Sequence, residues 1–229
     1  MLRLITDFDG PIMDVSERYY RVYQYCLQQT KLAQQEVKQL SKTQFWKLKR
    51  SRVPEKQIGI LSGLSEEQAQ DFARLRKNTV HSLPYLKYDR PVFGAVATLE
   101  RIENLDLDLT VMTMRREREL KAAFERYDLE RFFASDRRYH LPDDYVKTID
   151  TEDKPKLMAR ALDELPAASE VWMVGDTEAD IIAAKTHNIK SIGVLCGIRD
   201  RPRLEKHQPD LIVNNLAEAV DAIVGAFRN

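Results

Sequence analysis

Near the start of this 229-residue chain two carboxylates stand with one residue between them, Asp7 and Asp9 in the stretch 2–14, LRLITDFDGPIMD. In extended chain, residues two apart project to the same side, so a strand ending here presents both acids to one small volume. Gly10 and Pro11 then bend the backbone away. Two acids so close repel. That is tolerated when a cation lies between them, or when their surroundings separate their pKa values so that one is ionised while the other holds a proton. Both conditions describe a magnesium-dependent phosphoryl-transfer site. Asp and Gly are also ordinary turn formers, so the same residues describe a plain strand-ending turn. Further along, Asp176 follows the apolar run 171–174 (VWMV), and Asp180 comes four residues later in a strongly helical stretch. An acidic first turn stabilises a helix through its dipole alone, which is the plainer reading of that pair. Thr113 closes the apolar run 107–113 (LDLTVMT), and Lys154 stands alone at the start of another helical segment.

These positions need a scaffold that brings distant strand ends together. Leu2, Leu4 and Ile5 form a short apolar run suited to a buried strand. Further strands are expected at 107–113, from Phe132 and Phe133, at 171–174, through Ile192, Val194 and Leu195, and at 211–213. Helical segments are expected at 92–105, 116–129, 154–162 and 216–227, and from Thr177 to a left-handed end at Asn188. Alternation of this kind predicts an α/β fold, a Rossmann-like, doubly wound parallel sheet with its ligand crevice at the carboxyl ends of the strands. Residues 135–153 are polar and long for a connection, and read as a functional excursion or a hairpin.

Between the first strand and the rest, residues 15–88 show no strong β-run and read as a small all-helical domain inserted into a core of 1–14 and 89–229. Tyr19, Val22, Tyr23, Cys26 and Leu27 recur at helical spacing, as do Phe72, Leu75 and Thr79. Ser65 followed by Glu66, Glu67 and Gln68 reads as a helix N-cap. In 42–52, Phe45, Trp46 and Leu48 are interleaved with Lys42, Lys47, Lys49, Arg50 and Arg52. This is either a solvated helix face over an apolar underside or a cationic patch for an anionic substrate.

Composition narrows the partners. Lys plus Arg and Asp plus Glu number 36 each, so the chain lacks the global field of a nucleic-acid or membrane-surface protein. No apolar run approaches the roughly 18 residues of a membrane helix, and no signal peptide precedes the first strand. Cys26 and Cys196 are far apart, and the four histidines show no metal-ligand spacing. A cytoplasmic protein, monomer or homodimer, acting on a small molecule is the expectation.

Taken in order, DFDGPIMD, VMT, Lys154 and GDTEAD resemble the four motifs of the haloacid dehalogenase superfamily of phosphohydrolases. The helical insertion is similar to the cap of its phosphoglycolate phosphatase, β-phosphoglucomutase and phosphonoacetaldehyde hydrolase subgroup. The resemblance implies that Asp7 is the nucleophile, forming an aspartyl-phosphate, and that Asp9 is the general acid and base. Thr113 and Lys154 would hold the phosphoryl group, and Mg²⁺ would be held by Asp7, the Asp9 main-chain carbonyl, Asp176 and waters, with Asp180 acting mostly from behind these ligands. Pro11 departs from the family's usual Thr or β-branched residue, and Met114-Arg115 from its usual polar pair. The implied activity is a phosphatase acting on a small phosphorylated metabolite. A sugar phosphomutase uses the same residues. Dehalogenation does not fit an acid at Asp9, and a phosphonoacetaldehyde hydrolase needs a Schiff-base lysine, for which Lys47 or Lys49 is available. A response-regulator-like phosphoacceptor would be much shorter and lack the insertion, and a non-catalytic binding protein would have no need of all four charged roles.

Overall fold

Every side chain of the first strand, β1 (Leu2–Thr6), is buried, as a central strand covered on both faces requires. A turn and the two-residue strand β2 (Met13–Asp14) follow, and the chain then passes into a separate helical unit, Val15–Asp89, before resuming the first unit, Met1–Asp14 with Arg90–Asn229. The computed structural model describes residues 1–105 and 107–227.

The helical unit contains α1 (Ser16–Thr30), α2 (Lys42–Arg50), α3 (Glu55–Leu61), α4 (Glu66–Thr79) and the single turn α5 (Leu83–Leu86). Its apolar faces meet around Val22, Tyr23, Cys26, Phe45, Ile58 and Phe72. Tyr23 is the hub: its ring stacks on Phe45 at 4.8 Å, while its hydroxyl bonds the Ser62 hydroxyl at 2.9 Å and accepts the Leu40 N–H at 2.9 Å. Ser65 caps α4 in a full capping box with Gln68, and Ser41 builds the same device at α2 with Gln44. In the cationic stretch Phe45 is wholly buried, while Lys42 pairs with Glu17 at 3.0 Å and Lys49 pairs with Glu55. The buried ion pair Arg18–Asp89, 3.0 Å apart, joins the first helix to the last residue of this unit.

On its return the chain forms β3 (Arg90–Pro91), which pairs antiparallel with β2 so that the outgoing and incoming strands lie side by side, Met13 opposite Pro91. Then follow α6 (Ala95–Ile102), β4 (Leu107–Arg116), α7 (Glu117–Tyr127), β5 (Arg138–Leu141), α8 (Asp150–Glu164), β6 (Glu170–Gly175), α9 (Glu178–Thr186), β7 (Lys190–Val194), α10 (Arg201–Glu205), β8 (Leu211–Val213) and α11 (Leu216–Phe227). The sheet runs β5-β4-β1-β6-β7-β8 with every neighbouring pair parallel. Leu2 and Leu4 pack into a layer with Leu99, Ile102, Phe124, Val220 and Ile223, whereas Ile5 packs against Leu157, Met158, Ala161 and Ala184 on the other side. The sheet is therefore doubly wound, and the loops after β1, β4 and β6 share one edge.

Three local expectations are corrected. Phe132 and Phe133 do not start a strand. Phe132 closes a 3-10 turn (Glu130–Phe132), Phe133 follows it, and both enter the core, where Phe133 stacks on Phe124 at 5.6 Å. The strand beside β4 is instead RYHL, inside the polar stretch, with Tyr139 and Leu141 buried; that stretch is not a hairpin, because β5 joins the sheet in parallel. Finally, β4 does not end at Thr113 but continues to Arg116, which is in register with Leu141.

Tyr23→Phe leaves the buried Leu40 N–H without its acceptor, and such a loss costs about 1–3 kcal/mol. Ser65→Ala, which removes a cap at an exposed helix end, is expected to cost about 1 kcal/mol. Urea denaturation followed by circular dichroism checks the ranking, with Tyr23→Phe the more destabilised.

Candidate active site and metal centre

The end of β1 is held in the sheet by the Asp7 N–H, which bonds the Val174 carbonyl at 2.8 Å. Beyond it the chain reverses in a tight turn, with the Ile12 and Met13 N–H groups on the Phe8 carbonyl and the Gly10 N–H on Met13. Pro11, which has no N–H to offer, sits at the position from which this turn draws none. Gly10 has a left-handed φ of 92°, and a Cβ there would overlap the Asp176 carboxylate. A Cβ at Gly197 would overlap it from the other side.

Asp176, directly after β6, accepts the Ile198 N–H on Oδ2 at 2.6 Å. Asp180 lies in the first turn of α9, where its Oδ2 accepts the N–H and hydroxyl of Thr177 at 2.9 and 2.8 Å. Asp7 accepts the Phe8 N–H on Oδ1 at 2.7 Å. Lys154 of α8, 1% exposed, extends its Nζ between two of the acids, 2.9 Å from Asp7 Oδ2 and in contact with Asp180 Oδ1. The start of α8 is pinned by buried Asp153, whose carboxylate accepts the Thr148 N–H at 2.8 Å, the Thr148 hydroxyl at 2.9 Å and the Tyr145 hydroxyl at 3.0 Å. The polar stretch 135–153 thus supplies a strand and then the anchor that places Lys154.

Carboxylate oxygens of Asp7, Asp176 and Asp180, all three buried, lie within 4.8 Å of one another. Burial pushes the Asp7 carboxyl well above its ordinary range; Lys154 pulls it down, while Asp180 and Asp176 push it further up. Burial, and then the Asp180 charge, push Asp176 up to about 7 against the Ile198 N–H, Arg199 and Lys154. Burial works to lower the Lys154 ammonium, but Asp180 and Asp7 outweigh it and raise the group above its usual value. A buried set of hard oxygen donors carrying more negative charge than its one lysine offsets fits a small divalent cation such as Mg²⁺.

The other expected site residues are placed differently. The Asp9 carboxylate stands outside the acidic cluster, its side chain 25% exposed, and pairs with Arg115. Thr113 is buried in β4, not at its end, and its hydroxyl accepts the Arg115 N–H at 3.1 Å. Two features had no signal in the sequence. Arg115 is one, with its partner 106 residues away. The other is the bidentate pair of Arg199 with Glu178, at 2.7 and 3.1 Å, which ties the loop carrying Ile198 to the start of α9.

Comparison with known proteins places this geometry in context. The profile of the haloacid dehalogenase-like hydrolases matches residues 4–194. A phosphoglycolate phosphatase of Agrobacterium fabrum is 28% identical over 141 residues, covering 58% of this chain and 55% of that protein. A protein of Caldanaerobacter subterraneus subsp. tengcongensis is 25% identical over 132 residues, or 56% of each. The match therefore spans just over half the length of these curated relatives. Among solved structures, one from Clostridium difficile superposes with a TM-score of 0.74 at 19% identity, covering 96% of this chain and 97% of that one. A haloacid dehalogenase-like family hydrolase from Streptococcus pneumoniae does so at 0.69 and 16%, with 96% and 97% covered. At such identities the likeness concerns the fold.

The raised Asp176 carboxyl has a consequence for stability. Its unfolded value is 3.8 and its folded value about 7, so in metal-free protein its contribution favours folding below 3.8 and is lost as the pH rises through 7. A divalent cation removes that loss by favouring the ionised form. Thermal melts in excess Mg²⁺ and in chelator are expected to differ more at about pH 8 than at about pH 5. An equal difference at both would contradict this.

Proposed function

The chain belongs to the haloacid dehalogenase-like hydrolase family, and from that premise we propose that it is a magnesium-dependent phosphatase of a small phosphorylated metabolite, acting through an aspartyl-phosphate on Asp7. The observation that carries this reading is the division of labour between two neighbouring acids: Asp7 buried, its oxygens held by the Phe8 N–H and by Lys154, and Asp9 outside the acidic cluster and partly exposed. A fixed, desolvated carboxylate suits a nucleophile, and a carboxylate reachable from solvent suits proton exchange.

In the first step an oxygen of Asp7 attacks phosphorus, the bond from phosphorus to the ester oxygen breaks, and that oxygen leaves with a proton from Asp9. In the second, water attacks phosphorus of the acyl phosphate, Asp9 takes its proton, and Asp7 is regenerated with release of inorganic phosphate. Lys154 offsets charge on the Asp7 carboxylate and on the phosphoryl group. Thr113 donates its hydroxyl proton, for which the described residues provide no acceptor, to a phosphoryl oxygen. Asp7, Asp176, Asp180 and the Asp9 main-chain carbonyl would hold Mg²⁺, which when bound neutralises the crowded carboxylates and orients the phosphoryl oxygens.

The phosphoglycolate phosphatase among the relatives supports a small phosphate monoester as substrate class. We assign the choice among such esters to the helical unit, as a cap. Two cysteines outside any disulfide, one in each unit, agree with a cytoplasmic setting.

Substitution separates the two acids. Asp7→Asn should abolish turnover of every ester and form no phosphoenzyme. Asp9→Asn should lose about 10²- to 10⁴-fold on an alkyl phosphate, whose alkoxide needs a proton. With a nitrophenyl phosphate, whose phenolate leaves unaided, it should instead release a burst of nitrophenol and accumulate acid-stable, hydroxylamine-sensitive phosphoprotein. Accumulation in Asp7→Asn, or identical behaviour of the two variants, would refute the assignment.

A further inference from the structure

Arg115 is a buried cation to which the scheme above gives no task. It lies two residues beyond Thr113 in β4, in the irregular part of the strand between Met112, which is opposite Tyr139, and Arg116, which is opposite Leu141. Its side chain is 1% exposed. The guanidinium reaches Asp9 with two nitrogens, Nε at 2.9 Å and Nη2 at 2.6 Å, both on Oδ1. It also lies over the Phe8 ring, 4.9 Å from the centroid, and Nη1 donates to the Glu119 carbonyl at 3.5 Å. The Arg115 main-chain N–H is bonded to the Thr113 hydroxyl. Nε, Nη1 and Nη2 are thus all engaged, and a planar fork fixed on a ring, a carbonyl and a carboxylate has little orientational freedom.

We propose that Arg115 is the positioning residue of proton transfer: by gripping Asp9 it sets where that carboxylate stands, first toward the leaving oxygen and then toward the attacking water. The inference rests on Asp9 being the acid and base of the proposed function. Asp9 needs such a partner because, unlike Asp7, Asp176 and Asp180, it is not confined by burial. A carboxylate free to sample several rotamers spends little time in the productive one, and misplacement by about 1 Å can cost about 10²-fold. Lysine is a poor substitute, since a point charge on a flexible stem fixes distance and not orientation.

The test places Arg115→Met and Arg115→Lys in the native and the Asp9→Asn backgrounds and follows phosphoenzyme formation and breakdown with alkyl and nitrophenyl phosphates. Arg115→Met is expected to lower kcat on the alkyl ester by about 10- to 100-fold with KM little changed, to spare the first step with the aryl ester, and to slow phosphoenzyme breakdown. In the Asp9→Asn background it should add nothing, because the residue it acts through is already disabled. Should Arg115→Met fail to fold, Arg115→Lys carries the same comparison and should show a partial loss. Additive losses in the double variant, or equal losses on both esters with a raised KM, would overturn the proposal and assign Arg115 to phosphate binding or to folding alone. A native protein that forms no phosphoenzyme overturns the proposed function, and this inference with it, whereas the Arg115 results overturn the inference only.

Discussion

Three carboxylates crowded into a buried space with one ammonium set the terms for the rest of the core unit. Fully ionised, they leave an excess of two negative charges where burial penalises even one. The protein meets part of that cost with hydrogen bonds: the N–H groups of Phe8, Ile198 and Thr177 each serve a different acid. The remainder shows as the raised Asp7 and Asp176 carboxyls, a state that a divalent cation relieves and that a neutral ligand would not.

That constraint accounts for features that look unrelated along the chain. Glycines at 10 and 197 are demanded because the backbone passes so close to Asp176 that any side chain would displace it. The Asp153 anchor, the Thr177 cap on Asp180 and the Arg199–Glu178 clasp all hold segments that deliver one charged group each. None of these contacts touches the substrate in the proposed mechanism. They set charges whose mutual energies are steep in distance, so that a small displacement of Lys154 would unbalance two acids at once.

Much of this was legible beforehand for a topological reason. In a parallel sheet the carboxyl ends of the strands share one edge, so Asp7 and Asp176, which close two apolar runs, had to approach one another whatever their separation in sequence. Hydrophobic periodicity changes near Val15, where β2 ends and α1 begins, so the passage from strand to helix is marked in the residues themselves. What escaped depends on tertiary register. RYHL is too short and too polar to announce a strand, and becomes β5 by pairing with β4, Arg138 opposite Val111 and Tyr139 opposite Met112. Met114 and Arg115 look like a loop and Arg116 like the start of a helix, yet β4 runs through all three, shifting its register after Met112 before Arg116 meets Leu141. The Asp9–Arg115 pair has no local pattern, since it joins two strand ends that meet only when β1 and β4 align, Thr6 opposite Val111.

The central claim is that phosphorus becomes bonded to Asp7. Reducing the quenched enzyme with borohydride during turnover of a nitrophenyl phosphate converts an acyl phosphate to homoserine, and peptide sequencing by mass spectrometry locates it. The account predicts homoserine at position 7 and an intact aspartate at position 9. Homoserine at 9 or at 176, or an unmodified chain from an enzyme caught in turnover, would contradict it.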